Sequence, residues 1–213
     1  MNVTIAEEVL LIAHTDQEGK SLVSTTQLGL TLAGAVLAEL ALNGRVELSK
    51  KRVTLKDRSP LGDPELDAVL GRVAEDGKDR TPSSWVQKIQ SDKLRTRLLT
   101  RLADAGVLTE QSGKVLGIFP TTRWPEADGS IEAEVRARVG DALDGAEPSP
   151  RTAVLISLLH STGLIRKAFP GAAKRRVKEI VEGEWAGEAV AKTIAGINAA
   201  VIVTVTTVTT ATT

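Results

Sequence analysis

The chain contains no cysteine and no tyrosine among its 213 residues, and it has only three tryptophans and two phenylalanines. Without cysteine it forms no disulfide, thiolate nucleophile or sulfur-ligated zinc site. Because aromatic side chains are so few, the core must be built from leucine, valine, isoleucine and alanine, which favours packed helices. Basic and acidic residues number 27 each, so the net charge is zero. This excludes a strongly electropositive nucleic-acid binder overall, but it permits a local basic patch.

Recognisable catalytic motifs are also missing from the sequence. The chain has two histidines, His14 and His160, and neither has a carboxylate or a second histidine at metal-ligand spacing. No glycine-rich phosphate loop is present. The acidic pair Glu7-Glu8 falls in the first turn of a predicted helix, where negative charge favours the helix dipole. We therefore predict a protein that is not an enzyme and has no metal or cofactor.

No segment predicts a signal peptide or a membrane span. The most apolar stretch, 28–42, is shorter than the ~20 residues needed to cross a bilayer and contains Glu39, so we predict a buried core helix there. A threonine-rich end follows the last apolar segment and lacks charge and turn signals. We expect a cytoplasmic protein with one domain over 4–203 and a disordered tail over 204–213.

Capping signals predict a mainly helical fold around one central hydrophobic helix. Thr4 with Glu7 and Ser24 with Gln27 form capping boxes, and proline follows three further cap residues. The predicted helices cover about 5–13, 26–42, 64–75, 82–89, 92–105, 131–143, 150–163, 174–181 and 184–201. Short alternating runs predict β-hairpins at about 45–56 and 107–119, the second turning at Gln111-Ser112-Gly113.

A helix followed by a hairpin occurs twice, over 36–55 and 98–119. This order outlines a winged-helix unit, although helices joined by surface hairpins explain it equally well. The central helix is apolar nearly all round and therefore leaves no face for a nucleic-acid groove. We predict that nucleic acid is not a partner.

Two clusters of basic residues are candidates for binding an anion. A solvated helix face explains either cluster, and the alternative is a site where guanidinium groups bind phosphate. The clusters comprise Lys88, Lys93, Arg95, Arg97 and Arg101, and then Arg166, Lys167, Lys174, Arg175, Arg176 and Lys178. Phe119, Arg123 and Trp124 lie at the rim of the second hairpin, where they either touch a membrane interface or anchor the loop.

A series of short motifs, in order and over most of the chain, resembles the Golgi phosphoprotein 3 family. The motifs are Ile5–Ile12 (IAEEVLLI), Asp16–Gly19 (DQEG), Leu32–Val46 (LAGAVLAELALNGRV), Ser59–Asp63 (SPLGD), Leu66-Asp67, Trp85, Leu94–Arg97 (LRTR), Ala105–Leu108 (AGVL) and Arg151–His160 (RTAVLISLLH). The composition and the lack of a long polar N-terminal extension look more like a bacterial member than a eukaryotic one.

This resemblance implies a helical domain with a projecting hairpin, which corresponds here to 115–125. It also implies membrane recruitment, capture of membrane-protein tails, and binding of phosphatidylinositol 4-phosphate in a shallow pocket of one tryptophan and three arginines. The tryptophan position holds Ser24, and the arginine positions hold Ala33, Asp92 and Arg95. Only Arg95 retains the residue that the family pattern requires.

From these observations we predict a peripheral module that binds anionic, phosphoinositide-like lipid on the cytoplasmic face of a membrane. The predicted lipid-binding residues are Arg95, Lys93, Arg97 and Lys88, and the predicted membrane-contact hairpin residues are Phe119, Arg123 and Trp124. Because Asp92 repels phosphate, the alternative is a soluble protein-interaction module that has lost the lipid site. No feature of the sequence predicts an oligomeric state.

Overall fold

The computed structural model describes residues 3–14, 21–78, 80–115, 119–183 and 187–210. This part of the chain contains ten helices and two separate antiparallel strand pairs. The helices are α1 (Ile5–Ala13), α2 (Thr25–Leu42), α3 (Pro64–Glu75), α4 (Pro82–Ile89), α5 (Asp92–Asp104), α6 (Ser130–Leu143), α7 (Pro150–Ser161), α8 (Leu164–Ala168), α9 (Lys174–Glu182) and α10 (Glu188–Thr210). The strands are β1 (Val46–Ser49), β2 (Arg52–Leu55), β3 (Gln111–Val115) and β4 (Phe119–Arg123).

The ten helices confirm the prediction of a mainly helical fold. Most of them begin where the sequence predicted, because local capping signals set the helix starts. Both predicted capping boxes form, at Thr4 with Glu7 and at Ser24 with Gln27. Proline occupies the first turn of α3, α4 and α7, where its missing N–H has no intrahelical partner to lose. The short helix α8 was not predicted. It follows α7 after a turn in which Gly163, its N-cap residue, has a left-handed backbone conformation.

Helix α2 lies at the centre of the fold and is buried continuously from Leu28 to Ala41. It contacts α1, α3, α4, α5, α7 and α10. The closest approach is at Gly34, where an added Cβ would lie 2.6 Å from a methyl carbon of Val201 on α10. The aliphatic core predicted from the scarcity of aromatics therefore depends on a glycine that lets two long helices meet.

The first hairpin forms as predicted, with β1 and β2 in antiparallel register. The second differs from its prediction, because Gln111, Ser112 and Gly113 lie within β3 and pair with β4. Val107 and Leu108, expected to begin this hairpin, are instead buried in the core. Leu108 forms only an isolated antiparallel bridge with Glu126, and the continuous pairing of β3 with β4 starts at Gln111. The residues that join β3 to β4, 116–118, lie outside the described part.

Helix α10 extends beyond its predicted end and crosses residues that we expected to be disordered. Its described range ends at Thr210, so 204–210 are helical, while 211–213 lie outside the described residues. Threonine hydroxyls in this stretch donate hydrogen bonds one turn back, including Thr204 to the carbonyl of Ala200 at 2.7 Å. These bonds satisfy the hydroxyl groups within the helix, which a composition-based interpretation does not anticipate.

Two helices have the length and apolar composition of a membrane span, over Thr25–Leu42 and Glu188–Thr207. The window in α2 is 78% buried inside the fold, whereas the window in α10 is only 44% buried. Burial identifies α2 as the core helix that the sequence predicted. Helix α10 exposes Ile202 and Val203 on its outer face.

Three glutamates that the sequence places on apolar helices are buried and paired with arginines. Glu39 Oε1 lies 2.7 Å from Nη1 of Arg151, and its other carboxylate oxygen accepts the backbone N–H of Ile5 at 2.8 Å. Burial raises the pKa of Glu39, and the hydrogen bond and charge of Arg151 oppose that rise. Glu7 and Glu8 are equally buried, so their role is not limited to the helix dipole that we expected.

We predict that Gly34→Ala lowers the free energy of unfolding by about 1–3 kcal/mol, because the new methyl group overlaps Val201 and a packed core yields little. The control is Gly71→Ala in α3, where no atom lies within 4 Å of an added Cβ. That change should stabilise the protein by about 0.5–1 kcal/mol, since alanine favours a helix over glycine. Urea unfolding of both variants measures the contrast, and equal effects would contradict the close approach.

Candidate functional site

A depression of about 290 Å³ lies between the N-terminal ends of α2 and α5. Its lining comprises Thr25, Thr26, Gly29, Gln90, Ser91, Asp92 and Arg95. Two of the four positions implied by the family resemblance, Asp92 and Arg95, are therefore brought to one site. Ser24 immediately precedes the lining residues of α2, whereas Ala33 is fully buried in the core. We call this depression the α2–α5 site.

Both helices begin at the site because a serine caps each of them. Ser24 Oγ accepts the backbone N–H of Gln27 at 3.2 Å, and Ser91 Oγ accepts that of Leu94 at 3.1 Å. Each cap satisfies one N–H group and leaves others of the first turn directed outward. Two helices of 18 and 13 residues thus direct the positive ends of their dipoles at one depression, an arrangement that favours an anion.

Arg95 forms one wall of the α2–α5 site without a close carboxylate partner. Its Nη1 donates to Thr25 Oγ1 at 3.3 Å, and its Nη2 lies 3.5 Å from Asp92 Oδ1. Its Nε is buried and has no hydrogen-bond acceptor. The Asp92 side chain is 80% exposed, so water screens most of its attraction for Arg95. Nη1 and Nη2 make only these two long contacts, so they retain donor capacity for a ligand oxygen.

His14 adds no charge near this site at neutral pH. Burial lowers its pKa, the hydrogen bond of Nδ1 with the carbonyl of Leu10 opposes that change, and the nearby charge of Arg95 lowers it further. His14 stands at the C-terminal end of α1, and the residues after it, 15–20, lie outside the described part, including the DQEG motif. Within the described ranges no group of histidine and carboxylate side chains is arranged to hold a metal.

Two of the predicted lipid-binding residues are instead committed to carboxylates. Lys88 Nζ lies 2.5 Å from Asp76 Oδ1 and 5.2 Å from the centre of the Trp85 ring. Arg97 binds both carboxylate oxygens of Glu65 through its Nε and Nη2. These partners lie 12 and 32 residues away in sequence, so the sequence of the basic cluster did not indicate the two ion pairs.

Lys93 remains available beside the α2–α5 site. It is exposed and has no carboxylate partner in the described ranges. It lines a shallower depression of about 370 Å³ with Asp92, Thr96 and Arg97. Because Asp92 lines both depressions, Lys93 and Arg95 flank the same carboxylate from two sides of α5. Of the four predicted lipid-binding residues, Arg95 and Lys93 are thus the two without a carboxylate closer than 3.5 Å in the described ranges.

Two of the predicted membrane-contact residues, Trp124 and Arg123, differ in their exposure. Trp124 is only 8% exposed and belongs to the hydrophobic core, so its ring is not offered to a membrane. The alternative that the ring anchors the loop agrees with this burial. Arg123 is exposed, and the side chain of Phe119 lies outside what the structure describes.

We predict that Lys88→Ala raises the pKa of Asp76. Hydrogen bonds from Arg80 and Lys88 lower the pKa of this carboxyl group from 3.8 to about 2. A carboxyl group with a lowered pKa stabilises the fold above its ordinary pKa and loses that contribution as the pH falls towards 2. With Arg80 alone, the midpoint should move part of the way back to 3.8, as carboxyl-carbon NMR titration will show. An unchanged midpoint would mean that Lys88 does not hold Asp76.

A family model described as Golgi phosphoprotein 3 (GPP34) matches residues 5–197. A curated relative, vacuolar protein sorting-associated protein 74 of Eremothecium gossypii, is 28% identical over 66% of this chain and 49% of its own length. The chain thus spans about half the length of this relative. The family comprises non-enzymatic, adaptor-like proteins associated peripherally with Golgi membranes. With 193 of its 213 residues inside the matched range, the chain belongs to the Golgi phosphoprotein 3 family.

Proposed function

We propose that this chain is a peripheral membrane protein that binds phosphate-bearing lipid headgroups at the α2–α5 site. The observation that carries the proposal is Arg95, whose guanidinium has no carboxylate closer than 3.5 Å and lies beside the first turns of two helices. A phosphate oxygen accepts hydrogen bonds from a guanidinium and from first-turn N–H groups at once. The family's membrane- and lipid-associated role supports this assignment.

The size of the site sets what part of a lipid enters it. A volume of about 290 Å³ is at the lower end of small-molecule sites, which start near ~300 Å³. A phosphate group and part of the ring that carries it fit such a volume, whereas acyl chains do not. The lipid therefore stays in its bilayer, and the headgroup reaches the protein.

Asp92 makes the site less selective than the pocket that the family resemblance implies. A carboxylate replaces a cation at the mouth of the site, so a ligand phosphate meets repulsion where a second guanidinium would have attracted it. Loss of one charge-assisted hydrogen bond costs about 1.5–3 kcal/mol. We propose weak recognition of anionic headgroups in general, with phosphatidylinositol 4-phosphate among them, assisted by exposed Lys93.

The alternative function is a soluble protein-interaction module without a lipid ligand. Ser24, Ala33 and Asp92 favour it, because each replaces a residue of the family's lipid pocket. The two functions differ in what a vesicle experiment shows, since the alternative predicts no binding to any lipid at low salt. Both functions describe a cytoplasmic, non-enzymatic protein without a cofactor.

The first test of the proposal is Arg95→Ala. Co-sedimentation uses phosphatidylcholine vesicles containing phosphatidylinositol 4-phosphate, vesicles containing phosphatidylserine, and phosphatidylcholine alone. We expect the wild type to bind both anionic vesicles at low salt, and Arg95→Ala to weaken that binding about tenfold or more, the value of one charge-assisted hydrogen bond.

Arg97→Ala is the matched control, because Arg97 lies two residues further along α5 and is held by Glu65. It should change vesicle binding less than about twofold, the effect of a screened surface charge. Equal losses in the two variants would replace the α2–α5 site with a diffuse basic face. No binding by the wild type would favour the protein-interaction alternative.

The second test is a gain of function through Asp92→Asn. Removal of the negative charge at the mouth of the site should strengthen binding to anionic vesicles about threefold, as expected for one charge repelling another through water. The control is Asp104→Asn, which removes the same exposed charge from the far end of α5. If both variants gain equally, net charge explains the change and the site does not.

A further inference from the structure

A larger groove opens on another part of the molecule, with a volume of about 760 Å³. It is lined by the last turn of α7, by α8, by the first turns of α9 and by one residue of α10. The lining includes Ile165, Arg166, Phe169, Lys174, Val177 and Lys178. We call it the α8–α9 groove. It shares no lining residue with the α2–α5 site.

The chain path between α7 and α9 creates the groove. Gly163 has a φ of 73°, a left-handed conformation that favours glycine, and it directs the chain out of α7 and into α8. A turn that includes Pro170 then leads into α9. Helix α8 has only five residues, and the groove lies along it, between the last turn of α7 and the first turns of α9.

One wall of the groove is apolar and firmly packed. Ile165 and Val177 are only 2% and 3% exposed, so their side chains belong to the core and show only an edge to the groove. Phe169 is half-buried, and its ring lies 5.9 Å from the guanidinium carbon of Arg136. A rigid wall of this kind contacts apolar ligand groups at little cost in side-chain entropy.

The rim of the groove is cationic. Arg166 and Lys174 are exposed, and neither has a carboxylate partner in the part of the chain that the structure describes. Lys178 Nζ lies 3.8 Å from Glu182, so its charge is partly compensated. No aspartate or glutamate is among the described lining residues. The Ala173 cap of α9 also offers no side-chain acceptor to the first N–H groups of that helix.

The other cations of the same cluster are engaged elsewhere. Arg176 donates to the carbonyls of Ala142 and Ala146, and Lys167 donates to the carbonyl of Leu22. Arg175 faces solvent, with its side chain 92% exposed and 3.4 Å from Glu179. The basic cluster therefore divides into residues that hold the fold or face solvent, and Arg166 and Lys174, which lie beside an apolar wall without a carboxylate partner in the described ranges.

We propose that the α8–α9 groove binds an acidic, hydrophobic segment of a partner protein. Carboxylates of the segment would contact Arg166 and Lys174, while its leucine- or phenylalanine-like side chains would pack on Ile165, Phe169 and Val177. Charge complementarity favours this occupant, because the ligand must supply negative and apolar groups within one short distance. A nucleic acid supplies no aliphatic group for the wall, and a headgroup in a bilayer leaves the wall empty. The site is independent of the proposed lipid function.

The test uses short fluorescent synthetic peptides in which aspartate and glutamate alternate with leucine and phenylalanine. A second peptide keeps the acids and replaces the apolar residues with serine, and a third keeps the apolar residues and replaces the acids with lysine. We expect the wild type to raise the fluorescence anisotropy of the first peptide alone. Arg166→Glu and Lys174→Glu should each weaken that binding about fivefold, as expected for reversal of one exposed charge.

Arg175→Glu is the matched control, because it reverses the same charge at the residue next to Lys174 but outside the groove. Its effect should stay below about twofold. Equal weakening by Arg175→Glu, equal binding of the serine peptide, or no binding of the first peptide would each overturn the proposal. Arg95→Ala should leave peptide binding unchanged, so failure of the lipid site is distinguished from failure of the groove. Weakened vesicle binding by Lys174→Glu with unaltered peptide binding would assign the groove to the membrane instead.

Discussion

The fold depends on a buried ionic cluster in which Arg151 of α7 joins the first two helices. Its Nη1 lies 2.7 Å from Glu39 on α2, its Nε lies 3.0 Å from Glu8 on α1, and its Nη2 donates to the carbonyl of Val3 at 2.6 Å. Arg138 of α6 contacts the same carboxylate of Glu8 at 2.5 Å. Removal of one partner from such a cluster leaves an uncompensated buried charge and costs about 3–5 kcal/mol, so only one placement of α1 satisfies every member.

Helix α1 also sets the position of α5. Arg101 Nε lies 2.6 Å from Glu7 on α1, and its Nη1 lies 2.6 Å from Asp63 at the start of α3. Two adjacent residues of α1 therefore bind two different helices: Glu8 binds Arg151 of α7, and Glu7 binds Arg101 of α5. Since α2 is attached through Glu39, both walls of the α2–α5 site are positioned relative to α1. The ion pairs thus act together with the apolar packing of α2 and α5 to fix the two helices whose N-termini converge there.

Local interactions made most of the fold predictable, and long-range pairing made the site less so. A capping residue such as Ser24 accepts a hydrogen bond from a backbone N–H only three residues away, so the starts of helices can be predicted from the sequence. Arg97 pairs with Glu65, 32 residues away in sequence, and Arg101 pairs with Glu7, 94 residues away. No hydrophobic or charge periodicity in the sequence indicates partners at such separations. The basic cluster at 88–101 therefore appeared as one surface, although most of its charges are paired. The helical end of α10 was missed for a different reason, because threonine composition does not show hydroxyls bonding one turn back.

Ion pairing, and not exposure, distinguishes Arg95 from the arginines that hold the fold. Its side chain is 28% exposed, close to the 27% and 29% of Arg101 and Arg151. Those two are each within hydrogen-bonding distance of buried carboxylates, whereas Arg95 approaches one exposed carboxylate at 3.5 Å. A guanidinium that has lost this much water without a close partner is costly unless an anion compensates it. Zero net charge in this chain reflects equal numbers of acids and bases, yet their pairing is uneven. Within the described ranges Arg95 is a partly buried cation that no close carboxylate neutralises, which is why we propose it as the ligand-binding residue.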